Sequence, residues 1–128
     1  MRHALNRPTD VELSILRALW DLGPATVRQV HEALTVDRDL AYTAVLKMMQ
    51  TMVDKGLLQR DETGRSHVYR PAQARDHTLR HLVDDLLERA FGGSALDLMA
   101  TTLSSRKLGP KEREELARLL AQAREKKP

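Results

Sequence analysis

A chain of 128 residues with 21 Lys/Arg against 18 Asp/Glu and no cysteine has room for one compact domain and a small appendage, with a core covering roughly two-thirds of the unfolded surface. The absence of thiols excludes disulfides, thiolate metal sites and cysteine nucleophiles together. No apolar run approaches the roughly 20 residues that span a bilayer, and the first ten residues, MRHALNRPTD, lack the apolar centre of a secretion signal, so a cytoplasmic protein is expected.

A net charge of +3 is spread almost evenly along the chain. Any affinity for nucleic acid must therefore come from where the basic residues sit, not from their number. Aromatic residues are confined to Trp20, Tyr42, Tyr69 and Phe91, so the core must be built from Leu, Val, Ala and Met.

Thr9-Asp10-Val11-Glu12 reads as a capping box, Thr9 at N-cap and Glu12 at N3. The helix after it sets Val11, Ile15, Leu16, Leu19 and Trp20 largely on one side and ends before Gly23-Pro24. Thr26 with Gln29 forms a second box, opening a short helix that turns Val27, Val30 and Leu34 inward. Asp37 or Asp39 is expected to cap a third helix. Its apolar sector holds Ala41, Val45, Met48, Met49, Met52 and Val53, and its polar sector Thr43, Lys47, Gln50, Thr51 and Asp54. The methionines belong to the core on this wheel, not to a metal site.

Lys55-Gly56 stops that helix. Two short alternating segments follow, Leu57–Asp61 and Ser66–Arg70, joined by Glu62-Thr63-Gly64-Arg65. A helix feeding a hairpin with a basic, glycine-containing tip is the layout of a winged helix. The expected fold is mainly α, a winged helix-turn-helix domain over residues 1–73 followed by a three-helix dimerisation segment over 74–128.

In that second part Leu79, Leu82, Val83, Leu86, Leu87, Ala90 and Phe91 follow a 3,4 spacing without a miss. Gly92-Gly93 ends their helix. A shorter one from Ser94 to about Ser105 carries Leu96, Met99 and Leu103. Pro110 opens the last, which carries Leu116, Leu119, Leu120 and Ala123. About 50 residues cannot bury these stripes alone, so an isologous homodimer through them is expected. The expected interface residues are Leu79, Leu82, Val83, Leu86, Leu87, Phe91, Met99, Leu103, Leu116, Leu119 and Leu120.

The stretches Leu13–Trp20, Pro24–Leu34, Ala41-Tyr-Thr-Ala-Val45, Asp54-Lys-Gly-Leu57 and Gly64-Arg-Ser-His-Val-Tyr-Arg-Pro71 together resemble the bacterial penicillinase-repressor family of transcriptional regulators, the BlaI/MecI/CopY type. The resemblance spans nearly the whole chain and is specific over residues 13–71. It implies a homodimeric repressor on inverted-repeat operators in double-stranded DNA. It also brings in a sensor protease as a partner, because antibiotic-responsive members are cut at an Asn-Phe bond in the second C-terminal helix. Thr101-Thr102 stand there in this chain, so release by that cut is not expected. The C-terminal cysteine motif of copper-responsive members is absent, which removes thiolate copper sensing.

In this context Thr43, Lys47 and Gln50 form a groove-facing row whose chemistry suits base edges. Ala44 is counted with them, although many members carry Thr there and Arg in place of Thr51. Arg65 with Thr63 at the wing tip, and Arg28 with Thr26 at a helix start, suit phosphates. Thr26 is first of all a cap. Tyr42, at the edge of the apolar sector, either offers its hydroxyl to a phosphate or packs. His77 and His81, with Asp84 or Glu88, have chelating spacing, but a solvated polar face accounts for them more economically, so no metal and no cofactor is expected. Scattered Ser, His and Asp show no catalytic arrangement, and no enzyme is expected. Two other functions fit the elements. One is a winged-helix sensor that binds a ligand or metal directly. The other is a protein-interaction winged helix without DNA binding, which Lys47 and Arg65 disfavour.

Overall fold

The computed structural model describes residues 7–36 and 38–125. In chain order the elements are α1 (Asp10–Leu22), α2 (Val27–Leu34), α3 (Tyr42–Asp54), β1 (Leu58–Asp61), β2 (Val68–Pro71), α4 (Arg75–Ala90), α5 (Ala95–Ser105) and α6 (Pro110–Glu125). The chain divides into two compact units, one ending at Asp85 and the other beginning at Leu86. The division falls inside α4.

Both capping boxes form. Thr9 Oγ1 accepts from the Glu12 N–H while Glu12 Oε1 accepts from the Thr9 N–H. Thr26 and Gln29 repeat the exchange at α2. Each pair satisfies two helix-end donors that would otherwise lack partners. The third helix starts differently. Its N-cap is Ala41, with no side-chain hydrogen bond. Asp39 stands two residues too early to cap it, and Asp37 lies outside the described residues. Ala41 is accordingly exposed and does not join the apolar sector.

The core collects one face from each of α1, α2 and α3 and closes them with the hairpin. Ile15, Leu16, Leu19, Val30, Val45, Met49, Met52, Leu58 and Tyr69 are all buried. Burying each large apolar side chain contributes about 1.5–3 kcal/mol. The unbranched methionines fill the space a scarcity of aromatics leaves, as their flexible thioethers do well. Met48 and Val53 lie at the margin of this cluster.

At the end of α3 the Gly56 N–H bonds to the Val53 carbonyl and the Leu57 N–H to the Met52 carbonyl. Gly56 takes φ +82°, the left-handed residue that this type of helix end requires. The turn delivers the chain directly into β1. The two strands pair antiparallel, with Leu58 opposite Pro71 and Asp61 opposite Val68. Each starts later than the alternation predicts, and β2 runs one residue further, to Pro71. Leu57 precedes β1, and Ser66 and His67 join the connecting loop. Ala25 adds a bridge to the sheet by exchanging two backbone hydrogen bonds with Tyr69, at 3.0 and 2.8 Å. The turn between α1 and α2 is thereby fastened to the base of the wing.

A part-buried ion pair ties the first helix to the end of the third. Lys55 Nζ lies 2.8 and 3.0 Å from the two Glu12 carboxylate oxygens, and the Glu12 side chain is 7% exposed. Burial pushes this carboxyl up. The Lys55 hydrogen bond, the Thr9 N–H and the Lys55 charge together outweigh that and hold it below its ordinary value. Within the same unit the Arg75 guanidinium lies 5.7 Å from the Trp20 ring centroid, and Arg7 pairs with Asp85 at 2.9 Å.

In the second unit, α5 is capped by Ser94, which accepts from the Asp97 N–H. Neither α5 nor α6 buries any residue completely. Among the described residues no helix is long and apolar enough to cross a membrane.

Candidate nucleic-acid interface

α3 presents its polar sector outward because its other side is committed to Val45, Met49 and Met52. Thr43, Ala44, Lys47, Gln50, Thr51 and Asp54 are all exposed. Thr43, Lys47 and Gln50 recur at i, i+4 and i+7, so they line up along one side of the helix. Thr51 turns its hydroxyl back to the Lys47 carbonyl at 3.0 Å.

The start of α3 is held from outside. His31 Nε2 lies 2.7 Å from the Leu40 carbonyl, and the His31 ring meets Tyr42 edge-on with centroids 5.8 Å apart. A helix without a side-chain cap is thus positioned by a histidine on the preceding helix. Nothing in the spacing of α2 signals that role, since position 31 reads there as one more polar residue.

A cleft opens between the start of α2, one side of α3 and the wing. Thr26, Arg28, Tyr42, Gln50, Arg65 and His67 line it. Five residues singled out in three separate segments therefore meet in one place. No carboxylate is among the described residues that line the cleft, which leaves Arg28 and Arg65 to set the sign of its potential. Thr43, Ala44 and Lys47 stay outside the cleft, on the exposed side of the same helix. Ser66 and His67 also line it. The alternation predicts both in the second strand, whereas the structure sets them in the loop before β2, whose Tyr69 lines the cleft as well.

Two of the expected hydroxyl contacts are already engaged. Thr26 Oγ1 accepts from the Gln29 N–H at 3.2 Å as the cap of α2. Thr63 donates both its N–H and its hydroxyl to Asp61 Oδ1, at 2.9 and 2.7 Å. Those two bonds, the backbone one first, hold the Asp61 carboxyl below its ordinary value. They brace the wing loop and leave the Thr63 hydroxyl only as an acceptor. Arg60 is drawn to Glu62 at 2.8 Å, so the wing's acidic residues bond to their near neighbours.

The expected interface residues lie on α4, α5 and α6 and in the residue after α4. Leu79, Leu82, Leu87, Phe91 and Leu116 are half-buried. Val83, Leu86, Met99, Leu103, Leu119 and Leu120 are exposed, Leu86 at 45% and Leu120 at 63%.

The penicillinase repressor family model matches residues 8–122. The chain is 36% identical over 119 residues to the transcriptional regulator BlaI of Mycobacterium tuberculosis, in both strain CDC 1551 and strain H37Rv. The match covers 92% of this chain and 86% of that protein. Among solved structures, the solution structure of the Bacillus licheniformis BlaI monomeric form in complex with the blaP half-operator aligns at a TM-score of 0.48. It shows 22% identity and covers 54% of this chain and 84% of that one.

Proposed function

The chain belongs to the penicillinase repressor family, and from that membership as a DNA-binding transcriptional repressor, not an enzyme, we propose that it works in the cytoplasm as a homodimer on an inverted-repeat operator. The observation that carries the reading is the exposed row Thr43, Lys47 and Gln50 beside a cleft that holds Arg28 and Arg65 and no carboxylate among its described lining. In this reading α3 enters the major groove. Thr43 and Lys47, near its N-terminal end, reach base edges first, and Gln50 and Ala44 complete the row. Arg28, Arg65 and Tyr42 approach the flanking phosphates, with the Thr26 and Thr63 oxygens beside them.

The exposed apolar rows of α4, α5 and α6 supply the dimer. Pairing them across a two-fold axis covers Leu86, Met99, Leu103, Leu119 and Leu120 and presents two winged helices to two half-sites. Each half-site contact then raises the effective concentration for the other. Selection of tight-binding duplexes from random DNA tests this directly. The expected product is an inverted repeat whose half-sites lie about one helical turn, or a multiple of it, apart. Enrichment of single half-sites bound by one protomer would remove the dimeric reading.

A further inference from the structure

The helix that faces the groove begins without a side-chain cap. Its N-cap is Ala41, with no side-chain hydrogen bond. The first turn of a helix is where backbone N–H groups lack partners and where the helix frays. Thr43 stands on that turn and Lys47 on the next. What holds this end comes from α2. His31 is half-buried, and its Nε2 lies 2.7 Å from the Leu40 carbonyl, one residue before the cap. A carbonyl oxygen only accepts, so Nε2 carries the proton and donates it. The same ring meets Tyr42, the first residue of α3, with centroids 5.8 Å apart and planes at 85°, the edge-to-face geometry that ring quadrupoles favour. One imidazole therefore grips the residues on both sides of Ala41.

We propose that His31 is a positioning residue for operator discrimination, fixing the start of α3 so that Thr43 and Lys47 meet base edges. This role rests on α3 being the helix that enters the groove. A hydrogen bond to a base edge weakens steeply as its distance and angle depart from the ideal, and a recognition side chain has to be held within about 0.5 Å of its working geometry. The attraction of Arg28 or Arg65 for a phosphate is coulombic and falls off slowly with distance. Releasing the start of α3 therefore lowers affinity for matched DNA and leaves affinity for unmatched DNA in place. A general loss of folding would instead lower both by the same factor, because a smaller folded fraction binds every duplex less.

The test is fluorescence anisotropy of the full-length protein on a duplex selected from random DNA and on a scrambled duplex of the same composition. His31→Phe keeps a ring against Tyr42 and removes the donor. The ratio of the two affinities should fall by about two- to tenfold, the range that one neutral hydrogen bond is worth, with the scrambled-duplex affinity and the salt slope unchanged. His31→Gln sets an amide N–H as many bonds from Cβ as Nε2 and should restore the ratio. In the parent, nitrogen–proton correlation by nuclear magnetic resonance should place a ring proton on Nε2 of His31. A ratio unchanged in His31→Phe, a His31→Gln protein no better than His31→Phe, or a ring protonated on Nδ1 alone would overturn the proposal. Lys47→Ala tells the two roles apart. Loss of the ratio there but not in His31→Phe removes the positioning role alone, whereas no loss in either removes the groove reading with it.

Discussion

Replacing Lys55 by alanine isolates the ion pair that joins the two ends of the helical core. Glu12 is left buried with its capping hydrogen bonds but without the ammonium 2.8 and 3.0 Å from its oxygens. Stripping one partner from a fully buried pair costs about 3–5 kcal/mol. The Lys55 side chain is 31% exposed, so water reaches the vacated position and screens part of the loss. A charge-assisted hydrogen bond is worth about 1.5–3 kcal/mol net, and that range is the expected cost. At roughly 4 °C per kcal/mol for a chain of this size, the melting temperature should fall by about 6–12 °C. Urea denaturation at one fixed protomer concentration measures it, because the proposed dimer would make apparent stability concentration-dependent.

The pH dependence carries the sign. Glu12 is held below its ordinary 4.5, so its contribution in the parent is fully present above that value and is lost as pH falls through the folded one. In Lys55→Ala burial is unopposed by the ammonium, and the carboxyl takes up a proton at higher pH than in the parent. The difference between the two proteins should therefore be largest near neutrality and shrink on acidification. Glu12→Gln in the Lys55→Ala background should cost less than Glu12→Gln alone. A Lys55→Ala protein within about 0.5 kcal/mol of the parent, the scatter of an ordinary surface change, would refute the reasoning.

Arg65→Ala should weaken binding on every duplex and lower the slope of log affinity against log salt by about one, whereas Lys47→Ala should cost about 1–3 kcal/mol at one operator position; salt-series anisotropy on matched and mutated operators separates them. Leu86→Asp should leave the winged helix folded, because Leu86 is 45% exposed within one chain, yet convert the protein to a monomer in sedimentation. Gly56→Ala should destabilise by about 1 kcal/mol or more by denatured-state-corrected urea titration, since φ +82° is strained for any residue with a Cβ although nothing stands in the way of that carbon. Induction should leave the Thr101-Thr102 bond intact by mass spectrometry, because both residues sit inside α5 with the Thr102 hydroxyl bonded to the Leu98 carbonyl and a protease needs an opened segment.

Local chemistry made much of this molecule readable in one dimension. The two capping boxes, the glycine stop at Gly56, the proline start at Pro110 and the apolar period of α1 each depend on residues within a turn or two of one another, and each formed as its spacing predicted, as did the period of α3 from Val45 onward. The outward row Thr43, Lys47 and Gln50 was legible for the same reason: once Val45, Met49 and Met52 are committed inward, helical geometry leaves those three outside. Where sequence reading failed, the deciding partner was distant. Asp39 looked like a cap, but the start of α3 follows from His31, nine residues before Leu40. The wing strands lost Ser66 and His67 to a loop braced by Thr63 and Asp61. Glu12 and Lys55, a cap residue and a helix end 43 positions apart, became an ion pair only because α1 and α3 cross there. A periodic pattern tells a side chain which way to face; only the packed fold brings it to the group it bonds with.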